Sequence, residues 1–389
     1  MNFSLMLQRA AFVGVCSVAW SAQAAAPVYR VVDLGTLPGA TQCSTAAISD
    51  AGHVVGRCTR LADEYFNPET SYIWHADTGM QELATPGFDI DARGVNSDGA
   101  VVGYKYNWVR IPNGGGKSYQ AGRPFLWTAA QGFVDIPVPG ECGEGAAQAI
   151  NDAGQVVGYA EMMNCDRRKA PHERHAFLWS ASEGLVDLNT GLHKKIDATP
   201  TDINNRNQVA AFYRLDETFI RYFATRADLE TGHQLPLPGP QGDGHATIAY
   251  AVNDWGDVVG YSQKGTGPAE LTRAVLWSET LGVINLHTNQ GQGRRTTFSI
   301  ARGINNQREI VGTITQGLPL GGFYWSAGTG TVHIADLIDP ADPLRDAMRN
   351  AQPQPYAINH SGQVVLSAMR GAMLTPHAYM LTPVGAAGR

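Results

Sequence analysis

Charge is scarce in this sequence: charged residues make up 16 % of its 389 positions, and 29 Lys and Arg against 35 Asp and Glu leave a formal net charge of −6. Affinity for nucleic acid comes from dense cations, so that partner is excluded. No Gly-rich phosphate loop, His-Glu-x-x-His pair or Ser nucleophile elbow occurs, and with them go the sequence signatures of phosphate cradling, zinc proteolysis and α/β-hydrolase chemistry. Long helical periodicity is missing too; only "DPLRDAMRN", Asp342 to Asn350, has room for two turns inside a loop. Cysteine is rare, with five in the chain, and none stands at the close Cys or His spacing of a metal site. We therefore expect no metal and no cofactor.

What is present is strand and turn. Hydrophobic residues reach 43 %, and Val, Ile, Tyr, Phe and Trp fall in short runs broken by Gly, Pro, Asn and Asp. The 44 glycines are spread from end to end, so no domain boundary is visible. One segment stands apart. At the N-terminus Arg9 precedes an apolar span from about Ala10 to Trp20 and small residues at Ala22, Ala24 and Ala26, the pattern of a secretory signal peptide over residues 1–26. That span is short for a bilayer crossing and no second one follows, so no membrane span is expected after cleavage. Cleavage removes Arg9 and Cys16, leaving a more acidic chain with Cys43, Cys58, Cys142 and Cys165 in an oxidising compartment, secreted or periplasmic.

From residue 27 to 384 the chain repeats itself. "AISDAGHVVG" from Ala47, "GVNSDGAVVG" from Gly94, "AINDAGQVVG" from Ala149, "DINNRNQVAA" from Asp202, "AVNDWGDVVG" from Ala251, "GINNQREIVG" from Gly303 and "AINHSGQVVL" from Ala357 are seven spellings of one phrase, at steps of 47 to 55 residues. Each is followed by an aromatic pentad such as "HAFLW" ending at Trp179, and most by a third landmark such as "GLVDL" ending at Leu188. Each unit thus reads strand, turn, strand, loop, strand, turn, strand. In the first turn Asn caps the reversal and Gly takes the left-handed conformation that closes it; Asn207 can substitute for that Gly, whereas Arg308 should be strained.

Four-stranded units of this length imply an all-β fold, a seven-bladed β-propeller of four-stranded blades. The seventh copy stops after three strands, and "YRVVDLGTLPG" at Tyr29 to Gly39 begins with an orphan one, so the N-terminal strand should complete the last blade; 385–389 remain as a tail. The phrase "AINDAGQVVGY" with "HAFLW" and "GLVDL" resembles the HAF repeat family of bacterial extracellular proteins over about Val28 to Val384. That resemblance implies an extracellular or periplasmic repeat protein and carries over no functional residue. Aligned on the repeat, Cys43 and Cys58 bracket the inner hairpin of the first blade, and Cys142 and Cys165 that of the third, which predicts both disulfides.

Tight turns should collect on one face of the ring and variable loops on the other, where binding belongs. The segment from Tyr104 to Gly122 interleaves Lys105, Tyr106, Trp108, Arg110, Lys117 and Tyr119, a set suited to stacking on sugar rings and pairing with anions, unless Trp108 only packs its own loop. Arg167, Arg168, Lys169, His172 and Arg174 form a second cationic stretch, with Arg294 and Arg295 in a later loop; a solvated charge run is the plain alternative. Basic residues opening the pentads at Arg123, His175, Arg221, Arg273 and His377 recur too often for an active site and read as structural. "DIDARG" at Asp89 and "DGH" at Asp243 read as turn residues. The expected function is a monomeric secreted scaffold whose loop face binds an extracellular glycan, of anionic kind, or a protein partner. A polysaccharide lyase or hydrolase using His172, His193, His245 and Arg295 on the same face is the alternative.

Overall fold

The computed structural model describes residues 26–60, 69–110, 118–139, 143–162, 174–191, 196–214, 222–240, 246–264, 271–286, 298–316, 321–370 and 375–385. Within them lie seven antiparallel sheets of four strands each, arranged as the blades of a β-propeller. Blades 1 to 6 span residues 42–83, 89–135, 145–187, 196–237, 246–285 and 298–333. Blade 7 takes three strands from 354–383, and its outermost strand is the N-terminal Tyr29–Gly35, paired antiparallel to Thr375–Pro383. The ring is therefore closed by the two ends of the fold, as the orphan strand required. Among the described residues no helix is long and apolar enough to cross a membrane.

The hydrophobic material is divided. Seven clusters of buried side chains occur, each shared by two neighbouring blades. Blades 1 and 2 enclose Val55, Ile90 and Phe125, and blades 5 and 6 enclose Leu276, Ile310 and Phe323. A buried aromatic of this kind contributes about 2–3 kcal/mol. Four of the five pentad tryptophans, Trp74, Trp179, Trp277 and Trp325, are buried at these interfaces, and Trp127 is half-buried. The interface of blades 3 and 4 holds the smallest set, Ala149, Val157, Ile203 and Val209, because the fourth repeat has Thr225 where Trp74, Trp179, Trp277 and Trp325 pack other blades against the one before.

All seven first turns share one left-handed residue: Gly52, Gly99, Gly154, Asn207, Gly256, Arg308 and Gly362 have φ between 58 and 88°. Arg308 bears the strain expected of it, and its guanidinium Nε donates to the buried Asp257 at 2.6 Å. The asparagine opening each turn does more than cap it. Asn253 Oδ1 accepts from Asp257 N at 2.9 Å, while Nδ2 donates across the blade interface to Asn305 O at 3.1 Å. The same link runs from Asn96, Asn151, Asn204, Asn305 and Asn359 to the following blade. Ser49, in the seventh position of this belt, is too short to reach Asn96.

Cys43 and Cys58 are directly opposite on two strands of blade 1 and form the disulfide expected. Cys142 and Cys165 lie outside the described residues. Three readings need correction or completion. The stretch from Tyr104 to Gly122 is mostly strand, since Val101–Arg110 and Ser118–Thr128 pair as far as Arg110 with Ser118 and project as a hairpin. Asp89 to Gly94 belongs to an inner strand, with the Asp89 carboxylate accepting from Glu69 N at 3.3 Å. The expected helical turns occur at Arg345–Asn350 and bury Met348 against blades 6 and 7.

Candidate functional site

The innermost strands, Gln42–Ile48, Asp89–Val95, Gly145–Ile150, Ile196–Ile203, Ala246–Val252, Phe298–Ile304 and Gln354–Ile358, surround a central channel of about 250 Å³. Each carries a register shift near its middle, an extra residue that breaks the ladder and turns out of the pairing. Counting three back from the turn asparagine or Ser49, the ring at this level is Ala46, Arg93, Gln148, Thr201, Tyr250, Arg302 and Tyr356, and all seven line the channel. This ring faces the loop side.

Its two cations are held differently. Arg93 donates to Gln148 Oε1 at 2.8 Å, pairs with Asp91 at 3.3 Å and lies over Tyr104 at 4.8 Å. Arg302 sits between two aromatic faces, 5.4 Å from the Tyr250 centroid and 5.3 Å from that of Tyr356, with no carboxylate partner among the described residues. Burial raises the Tyr250 hydroxyl pKa against the pull of Arg302, and raises that of Tyr261, 6.0 Å from Tyr250, to about 12. Both hydroxyls stay protonated at neutral pH and can donate. A half-buried guanidinium flanked by tyrosines is a receptor for an oxyanion attached to an apolar or sugar face.

The opposite end of the channel is rimmed by side chains of the turns. His360 Nδ1 lies 2.7 Å from Asp50 Oδ2, and its Nε2 reaches past blade 6 to 3.9 Å from Asp254. Asn205 donates to Asp152 at 3.1 Å and Asn306 to Asp254 at 2.8 Å, so this end is laced together. Hydrogen bonding to Asp50 raises the His360 pKa against desolvation, and the same bonds lower Asp50 against its own burial. The channel wall thus runs from the ring of Arg93 and Arg302 to this hydrogen-bonded rim of turn residues.

The residues selected from the sequence fall into three groups. Lys105 pairs with Asp135 at 2.7 Å, buried Tyr106 donates to Glu69 at 2.8 Å, and Arg174 pairs with Glu161 at 2.9 Å over the Tyr159 ring; these bonds are internal to the propeller. Trp108 is 54 % exposed on the projecting hairpin, whose paired ends carry Arg110 and Tyr119. Arg167, Arg168, His172, His193, His245, Arg294 and Arg295 lie outside the described residues. His175 pairs with Asp187 at 2.9 Å, a bond within blade 3 that suits the structural reading of the pentad bases. The Arg302 cluster was missed, although one column of the aligned repeats, Ala46 through Tyr356, contains it. Among the described residues no group of three His, Cys, Asp or Glu is placed to hold a metal ion.

Fold and channel define the class: a seven-bladed β-propeller closed by its N-terminal strand. No protein-family profile and no curated protein matches the chain. Solved structures that resemble it include a prolyl endopeptidase, 10 % identical with a TM-score of 0.51 over 90 % of this chain and 48 % of that one. Others are virginiamycin B lyase from Staphylococcus aureus, 11 % identical, TM-score 0.49, covering 92 % and 99 %, and the propeller domain of the trilobed protease from Pyrococcus furiosus, 10 % identical, TM-score 0.41, covering 81 % and 100 %. At these identities the likeness is one of fold alone.

Proposed function

We propose that this protein is an extracellular HAF-type binding scaffold whose loop face takes an anionic glycan, with the channel mouth receiving one acidic unit. The observation that carries this reading is Arg302, stacked between Tyr250 and Tyr356 without a carboxylate partner among the described residues. Rings on either side favour a flat sugar face, and the guanidinium favours its carboxylate or sulfate. A channel of about 250 Å³ lies below the usual range of ligand pockets, about 300–1,000 Å³, so the remainder of a chain would lie across the loop face and the exposed Trp108. The disulfide suits an oxidising compartment.

The test is calorimetric binding of polygalacturonate with neutral dextran as control. We expect Arg302→Ala to weaken polygalacturonate binding at least about tenfold, the worth of one charge-assisted contact. Equal binding by the variant would remove the mouth from the reading. Ultraviolet absorbance from unsaturated ends, followed in the same samples, would replace binding with elimination chemistry.

A further inference from the structure

Below the Arg302 ring the channel wall is backbone. In each blade the turn residue Ser49, Asn96, Asn151, Asn204, Asn253, Asn305 or Asn359 donates its N–H to the neighbouring strand of its own sheet. Antiparallel pairing alternates, so the N–H one residue earlier points to the free edge, which here is the channel. Two of these inward groups are taken: Ile203 N and Val252 N both donate to the Asp202 carboxylate, at 2.9 Å each. The remaining five, on Ile48, Val95, Ile150, Ile304 and Ile358, belong to the contiguous blades 6, 7, 1, 2 and 3. No acceptor for them occurs among the described residues.

Asp202 is an intruder at its level. The equivalent residues of the other blades are Ala47, Gly94, Ala149, Ala251, Gly303 and Ala357. A side chain is hard to admit here, because a Cβ on Gly94 or Gly303 would meet the next strand's Cα at 3.1 or 3.0 Å. The one side chain larger than a methyl at this level is an anion, and it binds two of the inward N–H groups. The same residues turn carbonyls to the channel, so backbone alone does not fix the sign of a ligand; the bound carboxylate and the guanidinium groups of Arg93 and Arg302 at the mouth do.

We infer that the channel is an oxyanion receptor, in which a carboxylate or sulfate docks on the free N–H groups of blades 6, 7, 1, 2 and 3 beneath Arg302, and that Asp202 gates it by charge. Ionised, Asp202 repels the incoming anion; protonated, it admits one and can donate to it. This deepens the reading of the channel mouth, and needs from it only the route of entry.

The gate works near neutrality. Burial pushes the Asp202 pKa up to about 7, with Asp254 adding repulsion and the two N–H bonds opposing it. Arg93, Tyr250 and Arg302 face it from the mouth, and Asp50, Asp152 and His360 share the turn-side end with Asp254. If only the protonated form accepts an anion, apparent affinity follows the protonated fraction. Between pH 5.5 and pH 8 that fraction changes about tenfold.

Calorimetric titration with inorganic sulfate, with glucuronate and with glucose as neutral control tests this on the intact protein. Wild type should bind sulfate and glucuronate about tenfold more tightly at pH 5.5 than at pH 8. Asp202→Ala, which installs the residue four other blades carry, should lose most of this difference, what remains being the loss of charge on His360 over the same range; circular dichroism verifies its fold. Response to sulfate as well as glucuronate means a bare oxyanion suffices, whereas response to glucuronate alone means the sugar is required; either supports the receptor. Failure of both anions to bind wild type at pH 5.5, or binding insensitive to pH and to Asp202→Ala, overturns it. So does binding of calcium that Asp202→Ala abolishes. Loss of polygalacturonate binding in Arg302→Ala without any small-anion response would leave the loop-face reading standing and this one not; the reverse pattern would do the opposite.

Discussion

Ser49 stands where six other blades have asparagine, and that difference can be measured. Its Oγ accepts from His53 N at 3.1 Å but supplies no amide to the next blade. Ser49→Asn should restore the missing link to Asn96 O and stabilise the fold by about 1 kcal/mol, the net worth of one hydrogen bond. Conversely Asn253→Ala removes bonds to Asp257, Trp255 and Asn305 at a buried site and should cost about 3 kcal/mol. Urea unfolding midpoints at constant slope read both. Arg308 shows what a sequence tells at this scale and what it withholds. Its awkward left-handed backbone follows from residue type, but the compensating ion pair to Asp257 joins positions 51 residues apart and exists only after blades 5 and 6 have packed.

At the scale of the element, blades are alike in pairing and unlike in what lies between them. The blade 3–4 interface, with four small or medium residues in its buried set, should open first. Native-state hydrogen exchange should therefore be fastest, among inner and second strands, at Ile196–Ile203 and Gln208–Arg214. The disulfide acts locally by contrast. It closes a 15-residue separation inside one hairpin, and replacing both Cys43 and Cys58 by Ser should cost about 3 kcal/mol in the chain-entropy account, read by thermal unfolding. Blade number, turn chemistry and closure were legible because each rests on short-range residue patterns repeated seven times. The Arg302 ring was not, because its column varies from Ala46 to Tyr356 and looks like noise until the circle brings the positions together. The hairpin bearing Trp108 passed for a loop because Gly and Asn punctuate it, while pairing to a neighbour strand carried the ladder through to Arg110.

The whole ring should respond to pH through its axis. Asp202 has a folded pKa raised to about 7 from 3.8, so its ionisation disfavours the fold as pH rises between those values, by up to about 1.4 kcal/mol per unit. His360 is raised as well; the stability it contributes is complete below its unfolded value of 6.5 and is lost as pH rises through its folded value. Asp50 is lowered, and its contribution is lost only as pH falls below 3.8 through its folded value. Urea stability should accordingly be greater at pH 5 than at pH 8. Asp202→Asn should flatten that profile in part and stabilise the protein at pH 8, with the gain shrinking toward pH 4.

The closing seam has a mechanical consequence. Tyr29 pairs with Pro383 and Gly35 with Ala378, so the chain enters and leaves blade 7 at the same end of one strand pair. Tension between those two points loads the pairs one at a time, in a peeling geometry, where a staggered arrangement would load them together in shear. A ring that spreads its resistance to heat over seven interfaces thus presents a pulling force with a zipper. Anchored through either segment alone, the protein leaves that zipper unloaded; stretched between both, it should part at this seam before any blade unravels.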